Sequence, residues 1–394
     1  MLPAIVLQTV CSVKLFSFCS DWKQSAQATI VKGVLNTYAV ATGQLINPAK
    51  CSILFSGSCS STVSSSVKNV LEVTQEVFDP KYLGLPVPEG RMSKDKFQSL
   101  QERLSRKLID WCENYMSSAS KEILIKAVAQ AIPTYVMSVF KLPAAICDDL
   151  TKLIRQYWWG VEKGKRKMAW LAWDKMIMPK CKGGIGFRDM RAYNQALLAK
   201  QAWRIIENPE SLCARLLKAK YFPNGSLVDT VFTGNSSSVW KGIEHGLELV
   251  KKGMIWRVGN GSSIRTWRDP WIPRGTNFRP ISPKRQCRLN RVSDFINEYG
   301  AWNEETLKKH FCLADVSAIL KIRTSPRLEQ DFIAWGPDPK GIFTVRSAYR
   351  LAMYAHEEAC AGAATSTRPN GDRPVWNLIW KSKVPHKIDR KSVV

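Results

Sequence analysis

The chain has 394 residues, 45% of them hydrophobic, with 58 Lys+Arg against 33 Asp+Glu and a formal net charge of +25. That length supports two or three cores, and the cationic surplus favours polyanionic partners, nucleic acid first among them. No uninterrupted apolar run of about 18 or more residues offers a membrane span, so no membrane partner is expected.

The surplus is uneven. Residues 1–90 hold 6 Lys/Arg and 5 Asp/Glu, residues 151–192 hold 11 and 3, residues 257–291 hold 9 and 1, and residues 365–394 hold 7 and 2. Patches separated by neutral segments suit binding faces, whereas each patch taken singly also suits a solvated surface. Most of the 15 tryptophans stand beside apolar residues, as core side chains do. The 11 cysteines include no CxxC pair, which points to free thiols in a reducing compartment. The apolar start lacks a basic flank and is soon followed by Lys14, so no secretory signal is expected and the nucleus or cytoplasm is the expected location. His245, His310, His356 and His386 are too far apart for a zinc-ligand pattern.

In chain order, residues 1–20 show no clean period. Residues 22–41 predict a helix with Ile30, Val34, Leu35 and Tyr38 on its apolar side and Gly43 as its stop. Residues 51–55 predict a strand, the Ser-rich residues 56–66 a loop, residues 67–73 a short helix and residues 82–87 a strand with a proline at its edge. Residues 91–160 carry the longest helical periodicity. Phe97, Leu100, Leu104, Leu108 and Trp111 share one face. A second run covers 119–132, where Pro133 ends or kinks it. A third follows Pro143 with Ile146, Leu150, Leu153, Ile154, Tyr157 and Trp158. Three helices with basic outer faces suit either a plain bundle or a clamp on a nucleic-acid duplex.

Residues 163–167, KGKRK, form a basic turn. The CKGGIGF stretch at 181–187 has glycines for tight turns but no following Lys-Ser/Thr, so it is a turn and not a phosphate loop. Residues 189–206 predict a helix capped by Asp189, and 212–221 predict another. From 253 to 272, alternation around Asn260-Gly261 predicts a β-hairpin. Its interleaved Arg257, Arg265, Trp267 and Arg268 suit either a grip on a nucleic-acid backbone or a two-sided sheet with arginines in solvent. Residues 273–288 predict an exposed linker, followed by short helices at 292–299, 303–311 and 315–322. Residues 330–344 predict a hairpin around PDPKG and 347–356 a helix. Residues 361–373 are small and polar and suggest disorder, and order resumes at 375–388.

Several of these stretches, in order, resemble the C-terminal part of the reverse transcriptase of plant LINE-type (non-LTR) retrotransposons. GVLNTYAVATGQLINPAKCSILFS (33–56) looks like the helix, turn and strand that follow the catalytic motif, and KYLGLPV (81–87) looks like the next strand. KEILIKAVAQAIPTYVMSVFKLP (121–143) with YWWG (157–160) looks like the thumb. KGGIGFRDMRAYNQALLAKQAWR (182–204), WRVGNGSSIRTWRDPWI (256–272) and FTVRSAYRL (343–351) are also characteristic. VWNLIWKSKVPHKI (375–388) looks like the start of the zinc-binding module that ends many such proteins.

The resemblance implies a fold that is mainly α with small β elements. It divides the chain into a palm remnant (1–90), a helical thumb (91–160), a connection region with helices and a β-hairpin (161–272), a linker with short helices (273–330) and a truncated start of the zinc-binding domain (331–394). Full-length members use Mg²⁺, held by paired aspartates, and Zn²⁺. Here KLFSFCSDW stands where the family has its aspartate pair, with Asp21 alone. Asp148-Asp149 is the one Asp-Asp pair, but on a thumb helix adjacent side chains diverge by about 100°, so a solvated helix N-terminus is the better reading. Lys50 falls where the family has a lysine proposed to protonate pyrophosphate, and a surface turn is its simpler reading. No catalytic, cofactor-binding or metal-ligating residue is therefore assigned, and no cofactor or small-molecule substrate is expected for this fragment.

The expected function is sequence-independent binding of nucleic acid, an RNA/DNA duplex in the first place, without polymerisation. Lys163, Lys165, Arg166, Lys167, Arg257, Arg265 and Arg268 are the candidate contacts. The alternatives are a non-catalytic helical scaffold and a pseudogene product without function.

Overall fold

The computed structural model describes residues 6–8, 25–43, 45, 47, 51–55, 59–74, 81–82, 84–86, 92–111, 116–162, 165–166, 168–232, 236–275, 278–324 and 329–361. They belong to two compact units, Met1–Val87 and Pro88–Val394. The fold is mainly α with small β elements, as expected, and the described strands pair into four two-stranded antiparallel sheets. Among the described residues no helix is long and apolar enough to cross a membrane.

The first unit runs β1 (Val6–Gln8), α1 (Ser25–Thr42), β2 (Ser52–Leu54), α2 (Ser61–Leu71), β3 (Lys81–Tyr82) and β4 (Leu85–Pro86). β1 pairs with β2, so the stretch without a clean period contains a strand. Gly43 stops α1 as expected, with φ +69° and its N–H donating to the Ala39 carbonyl at 2.9 Å. The expected apolar face of α1 is corrected. Ala28 and Leu35 are buried, packing with Val31 against Cys51, Ile53, Val67 and Leu71, while Ile30 is 67% and Val34 57% exposed. Both sides of α1 carry bulky apolar residues, and the small Ala28 marks the side where α2 packs.

α2 begins at Ser61, inside the expected loop, because the Ser60 hydroxyl accepts from the Val63 N–H and Ser65 donates back to the Ser61 carbonyl. The expected strand at 82–87 is instead a hairpin, β3 on β4, bent at Gly84 with φ +77°.

The second unit starts with a 3₁₀ turn, Lys94–Phe97, leading into α3 (Gln98–Asp110). α4 (Ser118–Leu124) widens into a π-helical segment, Ile125–Ala129, and the chain turns before α5 (Thr134–Met137). Pro133 supplies no N–H to the Ala129 carbonyl, which accounts for the break expected there. α6 (Ala144–Trp159) follows and ends at Gly160. Phe97, Leu100, Leu104 and Leu108 are buried, as are Ile146, Leu150, Ile154 and Tyr157, so both predicted faces point inward. Phe97 meets Phe140 edge-on at 6.2 Å, and Trp111 meets Tyr157 at 5.7 Å. β5 (Val161–Glu162) and β6 (Lys165–Arg166) pair antiparallel.

α7 (Trp173–Met176), α8 (Met190–Glu207), α9 (Leu212–Tyr221) and α10 (Ser238–Gly253) come next. Asp189 caps α8 as predicted, accepting from the Ala192 N–H at 2.7 Å. β7 (Met254–Arg257), α11 (Glu304–His310), α12 (Leu313–Ile319), β8 (Phe332–Trp335) and α13 (Val345–Ala361) complete the unit. α8 lies against both α10 and α13, over a core that includes Trp203, Trp240, Leu247, Val250, Trp335, Ala348 and Ala352.

Both hairpins predicted around Asn260-Gly261 and PDPKG are corrected. β7 pairs with β8, Met254 opposite Trp335 and Arg257 opposite Phe332. The Asn260-Gly261 turn forms, with Gly261 at φ +73°, but the Asp331 carboxylate next to β8 takes hydrogen bonds from the Gly259, Gly261 and Ser263 N–H groups at 2.8–2.9 Å. That capture joins the turn to a strand some seventy residues downstream. The PDPKG turn also forms, with Trp335 N–H on the Gly341 carbonyl at 2.8 Å, and no strand follows it. The described residues of 273–288 are mostly exposed, and the buried Ser282 and Cys287 pin them. The readings of residues 362–394 lie outside the described residues.

Candidate nucleic-acid interface

Two basic clefts shape the second unit. Lys218, Lys251, Arg265, Arg268 and Arg279 line the first, a cavity of about 430 Å³ floored by Phe222, Met254 and Trp256. It holds two of the arginines predicted from the sequence, and acidic partners occupy both. The Arg265 guanidinium lies 2.7 Å from Asp229 and 3.0 Å from Asp269, and Arg268 reaches Asp229 at 3.0 Å. The Arg265 N–H also donates to Asp269 at 2.8 Å. Burial pushes the Asp229 carboxyl up, but the Arg265 hydrogen bond and the charges of Arg265 and Arg268 outweigh it and hold it below the usual carboxylate range. Arg265 is half-buried and Arg268 exposed, and through their carboxylate partners they tie the turn at 226–229 to the segment after β7.

Of the other predicted contacts, Arg257 stands half-buried on β7. Lys163 and Lys167 lie outside the described residues, and for Lys165 and Arg166 only the β6 backbone is described. Asp21 and Lys50 lie outside the described residues as well. Asp148 and Asp149 serve different cations, Arg191 at 2.6 Å and Lys94 at 2.7 Å, as adjacent helix residues that point apart. Among the described residues no group of three or more His, Cys, Asp or Glu is placed to hold a metal ion.

The second cleft, about 710 Å³, opens between the glycine-bounded loop at 177–188 and α13. The loop is built from its glycines. Gly183 and Gly186 take φ +85° and +78°, and a Cβ on Gly184 would stand 2.0 Å from the Met178 carbonyl oxygen. The Met176 carbonyl accepts from the Ile185, Gly186 and Phe187 N–H groups at 3.0–3.3 Å. Phe187 is buried between Trp158, edge-on at 5.2 Å, and Trp173, stacked at 5.6 Å. Lys126 reaches from the π segment to the Ile185 carbonyl at 2.6 Å, and Glu122 holds Lys126 at 2.7 Å and Lys180 at 3.0 Å. Burial pushes the Glu122 carboxyl up, but the hydrogen bonds and charges of the two lysines keep it below its ordinary value.

α13 supplies the facing wall. Ala348 and Ala352 turn inward, which brings Arg346, Arg350 and Tyr354, spaced by four, onto the outer face. Tyr349 lies between wall and loop. Its hydroxyl accepts from the Asp189 N–H at 2.9 Å and keeps its own proton to donate, and burial pushes the phenol up to about 12. Arg188 sits over the Tyr193 ring at 4.7 Å and Lys182 over the Tyr354 ring at 5.5 Å.

Lys182, Arg188, Arg346 and Arg350 therefore face one concavity, and among the described residues that line it there is no Asp or Glu. Among the described residues no carboxylate forms an ion pair with Arg188, Arg346 or Arg350. Arg188, Arg346 and Arg350 are therefore available to an anion from outside. None of these four was among the contacts expected from the sequence. The spacing Arg346-Arg350-Tyr354, the last two on the helix predicted at 347–356 and Arg346 just before it, was the readable signal. That the glycine-bounded loop would converge on it depended on tertiary packing.

No family model matches the chain. It is 40% identical to the "Uncharacterized mitochondrial protein AtMg00310" of Arabidopsis thaliana over 153 residues, 39% of this chain and 99% of that protein. It is 31% identical to the "Putative ribonuclease H protein At1g65750" of the same plant over 321 residues, 77% of this chain. The chain spans about half of that second relative, 48% of its length.

Proposed function

The chain belongs to the family of the uncharacterized mitochondrial protein AtMg00310 of Arabidopsis thaliana, and from that premise we propose that it is a nucleic-acid-binding protein of retroelement origin. The finer reading is a segment of a LINE-type reverse transcriptase that grips nucleic acid and carries no polymerase chemistry of its own. The observation that carries binding is the cleft between residues 177–188 and α13, where Arg188, Arg346 and Arg350 meet with no carboxylate among the described residues that line it. Each phosphate that such a cation neutralises releases condensed counterions, so binding is tight at low salt and sequence-independent.

Two further observations support the reading. The relative named as a ribonuclease H protein shares 321 aligned residues with this chain, and a protein so named acts on RNA. The sequence stretches that resemble the reverse transcriptase thumb fall on α4 to α6, of which α6 packs against α3 and α4, and α5 packs against α8. Polymerisation is not proposed, because Asp21 stands alone where that resemblance implies an aspartate pair and Asp148 and Asp149 are each tied to a different cation.

The test is anisotropy of a labelled RNA–DNA hybrid titrated with the full chain across a salt series. Binding is expected to weaken with salt on a log–log slope of several units, about −0.9 per neutralised phosphate on a B-form duplex. Replacing Arg188, Arg346 and Arg350 by Gln is expected to reduce that slope by about 2–3. Absence of binding at low salt, or a triple variant that binds with an unchanged slope, overturns the proposal. A helical scaffold without nucleic-acid contact predicts the first of these, no binding at low salt.

A further inference from the structure

We infer that the α13 cleft takes an unpaired nucleic-acid strand, with one base stacked on Tyr354. This rests on the reading of the same cleft as a nucleic-acid surface and adds which form it accepts. Tyr354 is 55% exposed at the third step of the stripe that Arg346 and Arg350 begin. An aromatic ring left that open on a basic wall is a stacking platform, because every base offers a π-face. In a duplex those faces are already covered by neighbouring base pairs, so only an unpaired or terminal base reaches the ring.

The geometry of the wall agrees. Four residues along a helix advance about 6 Å, so Arg346 and Arg350 sit one phosphate step apart for an extended strand. The third member of the series places the ring where the next nucleotide would lie. Arg188 faces them from the loop on the opposite side, and the Tyr349 hydroxyl, which keeps its own proton, offers a donor between the two. A concavity of about 710 Å³ falls in the range that encloses a small ligand, whereas a duplex would present only one backbone edge to it. The first cleft lacks the open ring, since Phe222 is buried and Trp256 half-buried there, and Asp229 and Asp269 hold its Arg265 and Arg268.

The experiment uses the full chain and three fluorescent probes: a 12-nucleotide DNA strand, the RNA strand of the same sequence, and the blunt DNA duplex. Both single strands are expected to bind more tightly than the duplex at equal salt. Tyr354→Ala should weaken single-strand binding about tenfold, in line with the loss of one stacked base, and change duplex binding less than twofold. Tyr354→Phe should keep wild-type affinity, since the ring and not the hydroxyl does the stacking. Circular dichroism of both variants controls for the fold, and Tyr354→Phe keeps the ring's packing.

Equal affinity for strand and duplex, or an equal effect of Tyr354→Ala on both, overturns this inference and leaves the broader nucleic-acid reading standing. No binding to any probe at low salt by the folded chain overturns both. A difference between the DNA and RNA strands identifies which of them the unpaired nucleotides come from.

Discussion

The Asn194 side-chain amide donates to the Met137 carbonyl oxygen at 2.7 Å. The same nitrogen donates to the Phe140 carbonyl at 2.9 Å, and Asn194 Oδ1 accepts from the Leu142 N–H at 2.9 Å. One buried side chain on α8 thus closes three backbone groups of the corner between α5 and α6. These groups have no helix to complete them, because Pro133 and Pro143 interrupt the helical ladder on either side.

Asn194→Ala leaves three buried backbone groups without a partner. Each costs roughly 1–3 kcal/mol when unsatisfied, and relaxation of the corner lowers the sum. A loss of about 3 kcal/mol is expected in urea melts of the second unit. Asn194→Asp should be nearly as damaging, since a carboxylate keeps the acceptor and loses both donors. A loss below about 1 kcal/mol for both would show that water replaces the amide and that the corner holds without α8.

Two glycines predict opposite outcomes for the same substitution. A Cβ on Gly246 would stand 2.3 Å from the Leu198 carbonyl carbon and 2.4 Å from the Ala199 nitrogen. Backbone atoms cannot yield, so Gly246→Ala should separate α10 from α8 and cost at least the roughly 1–3 kcal/mol of overpacking. Around Gly33, in the middle of α1, nothing lies within 4 Å. Gly33→Ala should gain about 1 kcal/mol from helix propensity alone. Hydrogen exchange read separately in α1 and α10 measures both, and effects of the same sign would contradict the packing described.

The helices were readable because their determinants are local. Leu100, Leu104 and Leu108 recur at one spacing and all three are buried, and Asp189 lies one residue before the helix it caps. The strands were not, because their partners are remote: Asn260-Gly261 makes the turn its sequence demands, yet Asp331 decides what that turn joins. α1 was misread by face because Ile30 and Val34 are as apolar as Leu35, and only the small Ala28 distinguishes the packed side. In the candidate site the sequence pointed to arginines beside tryptophans. It could not show that Asp229, 36 residues before Arg265, would neutralise them. It carried the Arg346-Arg350-Tyr354 spacing in plain view, but a solvated helix face has the same spacing.

Asp315 predicts a pH dependence. It is fully buried and accepts hydrogen bonds from the Ile281 N–H, the Ser282 N–H and the Ser282 hydroxyl, with Arg274 at 2.9 Å. Burial raises its pKa, but the Ser282 and Ile281 hydrogen bonds and Arg274 together outweigh it, so the folded value lies below the ordinary one. The unfolded carboxyl, near 3.9, therefore takes a proton before the folded one. The stability this provides is complete above the unfolded pKa and is lost as pH falls through the folded pKa. Asp315→Asn should lower stability at neutral pH by about 3 kcal/mol, since Arg274 then loses its counter-charge. It should also flatten the fall in melting temperature below about pH 4. An acid limb as steep as wild type would assign that titration to other carboxylates.

Glu122 separates positioning from charge at the proposed interface. It is an anion beside a cationic cleft, so simple electrostatics predicts that removing its charge strengthens nucleic-acid binding. The structure predicts the reverse. Glu122 holds Lys126, which holds the Ile185 carbonyl, and it holds Lys180 directly. Through both lysines it fixes the loop that presents Lys182 and Arg188 to the cleft. Glu122→Gln keeps the shape and weakens both tethers, so the loop should sample positions in which those cations no longer face α13. Affinity for a single strand is expected to fall about threefold, equivalent to roughly 0.7 kcal/mol, while the salt slope stays within one unit of wild type because no cation has been removed. Glu122→Asp, too short to reach both lysines, should behave like the Gln variant. Tighter binding by Glu122→Gln would mean that the loop needs no tether and that Glu122 acts only by its charge.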